Sequence, residues 1–166
     1  MKLPLRPELL ASTGVRRAVA ALVLSAAGAG SIVMYEGQRP VVYLDPVGIP
    51  TVCVGHTKTV TRADVGKDLS HLCAQLLADD TKEAQASVKH VVTVQLTQEQ
   101  YDALVSFEFN TGALASSTLL VHLNRGDCWA AGAQFDRWVM ARGRRLPGLV
   151  ARRADERRHF ETGCSR

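Results

Sequence analysis

The chain has no Cys-x2-Cys or His-x3-His step, no internal repeat and no low-complexity tract. Zinc ligands come in such short steps, so no metal site is expected, and nothing in the residues calls for a cofactor. Without repeats or biased tracts the composition is that of a soluble globular chain. Aromatic residues are scarce, at 5%. The net charge of +4 crowds into Arg142, Arg144, Arg145, Arg152, Arg153, Arg157 and Arg158, with no aromatic platform or helix-turn-helix beside it. A solvated helix face is therefore expected for that cluster, and no nucleic-acid partner.

Charge is absent altogether from residues 18–34, 17 positions that come after Arg16 and Arg17, with Lys2 and Arg6 further out. As one helix they would reach about 26 Å, the low end for a bilayer core. Basic residues on the N-terminal side keep that end in the cytoplasm and send the rest across. Ten of the 17 positions are Ala, Gly or Ser, so the hold on lipid is weak. Three arrangements are open to such a segment. A signal peptide cut after Ala27-Gly28-Ala29 would leave six residues before Glu36, too few for a supporting helix. A permanent anchor would hold Glu36 at the lipid surface. The expected arrangement is an anchor that leaves the bilayer and folds onto the rest of the chain, its small residues allowing close helix contact. It divides the protein into a segment 1–34 and a body 35–166, and about 130 residues suffice for one compact domain with one or two small cores.

The start of the body carries chemistry. Residues 36 to 56 read E-G-Q-R-P-V-V-Y-L-D-P-V-G-I-P-T-V-C-V-G-H, a Glu-x8-Asp-x5-Thr frame of Glu36, Asp45 and Thr51. Breaking a glycosidic bond needs one carboxyl to protonate the leaving oxygen and a second polar group to handle the attacking water. Glu36 and Asp45 are candidates for the two roles. Glu36 would end a helix, and V-V-Y-L-D reads as a short strand carrying Asp45 across from it.

With Tyr43, Gly48 and the V-G-H-T just after the strand, this stretch resembles the active-site signature of the phage-type lysozymes, glycoside hydrolase family 24. The resemblance continues in S-F-E-F-N-T-G (106 to 112), S-T-L-L (117 to 120), D-R-W (136 to 138) and L-P-G-L-V-A-R-R-A-D-E-R (146 to 157). The N-terminal segment is similar to that of the signal-anchor-release endolysins of lambdoid phages. The resemblance implies that Glu36 is the general acid cleaving the β-1,4 bond between N-acetylmuramic acid and N-acetylglucosamine. Asp45 and Thr51 would then position and activate water with inversion. It also makes Asp80 the partner of His56, a structural pair, and brings Thr57 and Thr118 to the glycan; Phe109 and Asn110 are further candidates, an aromatic face for sugar and an amide for its N-acetyl groups, with core packing the alternative for Phe109. Peptidoglycan strands and the inner membrane are the partners implied, and the chain is expected to act as a monomer. It would be exported, tethered with its C-terminus in the periplasm and then released, causing host lysis. Two other activities fit parts of the pattern: a lytic transglycosylase, which needs the acid but no water-activating Asp, and an inactive wall-binding lysis accessory.

The expected fold is α+β: an N-terminal anchor helix, a small hairpin lobe holding Asp45 and Thr51, a long linking helix and a helical lobe. Leu69, Leu72, Cys73, Leu76 and Leu77 recur at helical spacing, and that helix is expected to run on to Val88. Thr97-Gln98-Glu99-Gln100 is a capping box, with Tyr101, Leu104 and Val105 on the inner face of the helix it opens. Asp127 is expected to cap the next-to-last helix, while Pro147 and Gly163 bracket the last. Trp129 and Trp138 read as core. Four cysteines suit an oxidising compartment and allow three pairings. Local pairing, Cys53 with Cys73 and Cys128 with Cys164, is expected; the alternative is four small buried hydrophobes.

Overall fold

A computed structural model describes residues 19–165. Two compact units divide it: residues 29–83, and residues 84–166 together with the chain up to Gly28. The boundaries fall inside two helices, α1 (Ala26–Glu36) and α3 (Lys82–Val91).

The first unit is built on a hairpin. α1 ends at Glu36 because Gly37, at φ +76°, turns the chain left-handed while its N–H still bonds the carbonyl of Val33 at 2.9 Å. Strand β1 (Arg39–Leu44) then pairs antiparallel with β2 (Pro50–Cys53), placing Tyr43 opposite Thr51, with an irregularity between Arg39 and Tyr43. Val42, Val52, Val60, Cys73 and Leu76 form a small core beneath it. The long helix expected from residue 69 onwards is instead a 3-10 turn, Ser70–Leu72, then α2 (Cys73–Asp80), and then a new start at α3. Thr81 marks the interruption. Its hydroxyl donates to the carbonyl of Ala78 at 3.2 Å, a local bond that competes with the helical ladder.

The second unit is helical. Thr97 caps α4 (Gln98–Thr111) by accepting from the Gln100 N–H at 3.3 Å, and the Gln100 side chain accepts from the Thr97 N–H at 3.0 Å, so both halves of the box are made. Buried residues run without interruption from Gln100 to Phe107, so this helix is a central rod, not an amphipathic surface helix. Around it lie α5 (Thr118–Asn124), α6 (Cys128–Ala133), a two-residue hairpin of β3 (Met140–Ala141) and β4 (Arg144–Arg145), and α7 (Pro147–Glu161). Phe107 is the hub of the core, edge-on to Phe135 at 5.4 Å and to Trp138 at 5.2 Å. Trp129 departs from the core reading: it is half exposed, its indole N–H donating to the Ser165 carbonyl at 3.2 Å. Asp127 sits at the N-cap of α6 without making a side-chain capping bond.

The uncharged N-terminal segment is not one helix. Residue 18 lies outside the described residues, and of the rest only residues 19–21 and α1 are helical. Between them residues 22–25 are not helical, and polar groups of residues 23–25 bond to side chains of the helical unit. Gln98 donates to the Val23 carbonyl at 2.9 Å, the Leu24 N–H donates to Gln85 at 3.0 Å, and the Ser25 N–H donates to Asp102 Oδ1 at 3.0 Å. The Ser25 hydroxyl donates to the other oxygen of Asp102, which is 2% exposed, and accepts from the Gly28 N–H at 3.1 Å to cap α1. Gly28 is required there, since a Cβ would lie 2.7 Å from Asp102 Cγ. Among the described residues no helix is long and apolar enough to cross a membrane.

Each unit carries one disulfide, Cys53–Cys73 and Cys128–Cys164, closing separations of 20 and 36 residues. Non-reducing peptide mapping of the exported protein should find these two bridges and no free thiol. Loss of either should cost about 2–4 kcal/mol in denaturant unfolding. Four alkylatable thiols would refute the pairing.

Candidate active site

Glu36, at the end of α1, is exposed and lines a pocket of about 380 Å³ together with Gly37, Gln38, Arg39, Tyr43, Cys53, Val54 and Gly55. Arg39 stacks on the Tyr43 ring at 4.8 Å, so this recess holds both a carboxyl group and a cation. Neither Asp45 nor Thr51 lines it. They meet through the hairpin turn instead.

Asp45 stands one residue past β1, and its Oδ1 accepts from the N–H groups of Val47 at 2.9 Å and Ile49 at 2.8 Å. These bonds close the turn, with Gly48 supplying the left-handed step at φ +82° and Arg62 donating to its carbonyl at 3.1 Å. The Asp45 N–H and the Thr51 hydroxyl both donate to one acceptor, the Ile49 carbonyl, each at 3.0 Å. Thr51 is 5% exposed. Its proton is directed at Ile49, which leaves the hydroxyl oxygen as an acceptor. Both bonds to the Asp45 side chain end on Oδ1.

After β2 the chain makes a tight loop, with Val52 and His56 exchanging backbone bonds at 2.8 and 2.9 Å and Cys53 held at φ +54°, a strained value for a residue with a side chain. His56 is 4% exposed, its Nδ1 2.7 Å from Asp80 Oδ2. The Thr59 N–H donates to its Nε2 at 3.2 Å, so Nε2 is the acceptor and the Nδ1–H donates to Asp80. Lys58 lies 3.7 Å from the other oxygen of Asp80. Further along the same loop, Lys67 and then Thr61 hold the Asp64 carboxyl well below the usual carboxylate range. Thr57 is exposed beside His56.

The other glycan candidates belong to the helical unit. Phe109 is half-buried and packs on the main core, Asn110 is exposed at the end of α4, and the exposed Thr118 donates to Gln134 at 2.7 Å. The expected solvated face of arginines does not hold for Arg152 and Arg153, which are 3% and 0% exposed. Arg152 Nε lies 3.1 Å from Glu156 Oε1, Arg153 Nε lies 2.9 Å from Glu156 Oε2, and the Ser106 hydroxyl donates to the same carboxylate at 2.7 Å. Burial pushes the Glu156 carboxyl up, against Arg153 first and then Ser106 and Arg152. Only the run R-R-A-D-E signalled this network, by spacing both arginines three and four residues from one Glu. Among the described residues no group of three or more His, Cys, Asp or Glu gathers as a metal site.

Residues 33–156 match the family model of phage lysozyme. The chain belongs to that family. It is a glycoside hydrolase of the lysozyme type, a phage endolysin. The SAR-endolysin of Escherichia phage Mu is 37% identical over 158 residues, covering 86% of this chain and 88% of that protein. The endolysin of Salmonella phage P22 is 38% identical over 130 residues, covering 75% of this chain and 88% of its own. Among solved structures, a mutant P22 lysozyme superposes with a TM-score of 0.75 at 35% identity, over 84% of this chain and 98% of that one. The muramidase domain of SpmX from Asticaccaulis excentricus gives 0.73 at 32%, over 84% and 97%. The lysozyme therefore has the α+β fold of these relatives, and its activity is the lysis of peptidoglycan.

Proposed function

We propose that the lysozyme hydrolyses the β-1,4 bond between N-acetylmuramic acid and N-acetylglucosamine with inversion, Glu36 acting as general acid and Asp45 and Thr51 acting on water. The observation that carries this reading is the shared Ile49 carbonyl. It ties Asp45 and Thr51 into one rigid turn, with the Asp45 Oδ2 and the Thr51 hydroxyl oxygen as acceptors for the two protons of a water molecule. Glu36 protonates the leaving oxygen, and Asp45 takes the proton of the attacking water. A lytic transglycosylase would have no use for this water-holding turn. Mass spectrometry of digested sacculi should find reducing muramic acid ends; anhydro-muramic ends would sink the hydrolytic reading.

Asp45 can be tested separately from the turn it builds. In Asp45→Asn the amide oxygen still accepts from Val47 and Ile49, so the hairpin stays closed, while the charge that draws a proton from water is lost. Hydrolysis should fall at least ~10-fold with an unchanged melting temperature. Undiminished turnover in that variant would remove Asp45 from the mechanism.

Control belongs to the N-terminal segment. In the bilayer, residues 18–34 run as a helix and Glu36 is held at the headgroups; on release, residues 22–25 unwind and are clamped by Gln85, Gln98 and Asp102. What supports this is the clamp itself, since a carboxylate as buried as Asp102 is satisfied mainly by Ser25 and Gln98, 2.8 Å away. SAR-endolysin relatives in phages Mu, PS119 and P21 favour the same route of export, tethering and release into the periplasm.

A further inference from the structure

Arg39 opens β1, is exposed, and lines the same recess of about 380 Å³ as Glu36. Among the described residues that line it, Arg39 is the one cation. Its guanidinium lies 4.8 Å from the centroid of the Tyr43 ring, and among the described residues it makes no hydrogen bond or ion pair. Arg62, the other arginine of the unit, donates to the Gly48 carbonyl instead. Stacking occupies the flat face of a guanidinium and leaves its edge, where the five N–H donors lie, for another partner.

The ring beneath Arg39 is itself held, since Tyr43 is half-buried and pairs with Thr51 across the hairpin. On a regular strand two residues four apart share a face, with Cα atoms about 13 Å from each other. The register irregularity of β1 falls between these two residues, and a strand bends at such a place. A flat cation fixed by one face, with its edge unoccupied, suits two parallel bonds to a carboxylate. Neutral sugar hydroxyls do not call for it.

We propose that Arg39 is a substrate-binding residue that reads a carboxylate carried on the glycan beside the bond to be cut, on the peptide or on the lactyl arm of muramic acid. This rests on the hydrolytic reading above, and it gives the recess a specificity that an uncharged polymer of the same sugars cannot satisfy. Because stacking has already fixed the guanidinium, little freedom is lost when the carboxylate docks.

The test uses soluble peptidoglycan strands with peptides in place, and strands stripped by an amidase, which removes the peptide and frees the lactyl carboxylate. Part of each is chemically amidated, turning every carboxylate into a neutral amide. The released wild-type enzyme should show a KM about tenfold lower on the charged than on the amidated form of at least one pair, the size of one charge-assisted bond. Whichever pair does so names the source of the carboxylate. Arg39→Gln should bring the two forms of that pair level, its effect falling on KM more than on kcat. Arg39→Lys keeps the charge without the fork and should recover part of the difference. Both variants should melt with the wild type, because the side chain is exposed and unbonded. An unchanged KM ratio in Arg39→Gln, or equal wild-type KM values within both pairs, overturns the proposal. So does a variant that moves only kcat and its pH profile, which would make Arg39 an electrostatic neighbour of Glu36 and no binding residue. Failure of the wild type to cleave any of the strands would instead bring down the functional reading on which it stands.

Discussion

Glu36→Gln is expected to lower peptidoglycan hydrolysis by at least ~10²-fold without changing the fold. The substitution keeps the shape of the side chain and removes the proton that the leaving oxygen needs. Position favours a clean result. Glu36 is the last residue of α1, exposed in a pocket, and the helix is closed there by the backbone of Gly37. Clearing of purified walls, read alongside thermal unfolding, separates lost chemistry from lost structure. Near-normal clearing by a folded variant would remove Glu36 as the acid, whatever the behaviour of Asp45.

The second large effect concerns release. Leucine at Ala20, Ala26 and Gly30 should strengthen the hold of the segment on the bilayer, retain the protein in the membrane fraction and suppress host lysis although Glu36 is untouched. All three positions are exposed in the folded enzyme, and a Cβ at Gly30 meets nothing within 4 Å, so the triple variant leaves docking intact. Gly28 is left out because any side chain there would strike Asp102. Asp102→Ala probes the other side of the switch. It should leave export and release normal and yield soluble protein of low activity, since residues 22–25 lose their clamp and α1 its footing. Fractionation with an activity assay therefore tells the two variants apart. If the leucine variant lyses on the normal schedule, or if the mature protein begins at Gly30, a cleaved signal peptide replaces the release model.

Local chemistry decided what could be read from the residues alone. The end of α1 at Glu36, the hairpin that holds Asp45 and Thr51, and the capping box of Thr97 and Gln100 each depend on groups within a few positions of one another. Steric and hydrogen-bonding rules act there without reference to the rest of the molecule, and the Glu-x8-Asp-x5-Thr frame inherits that security. Tertiary structure decided the remainder. A hydropathy pattern counts Arg152 and Arg153 as surface, yet both are buried, because Glu156 beside them supplies what water would have, and Ser106 bonds both Arg152, 46 positions on, and Glu156, 50 positions on. Nor does hydropathy show that this N-terminal segment breaks in the folded enzyme. At that break Ser25 bonds Asp102, 77 residues away, and no local rule refers to a carboxylate that distant. The helix end at Glu36 and the hairpin that carries Asp45 and Thr51 were thus legible in the residues around them. Where residues 22–25 rest and how Arg152 and Arg153 come to be buried were settled by partners that only folding brings near.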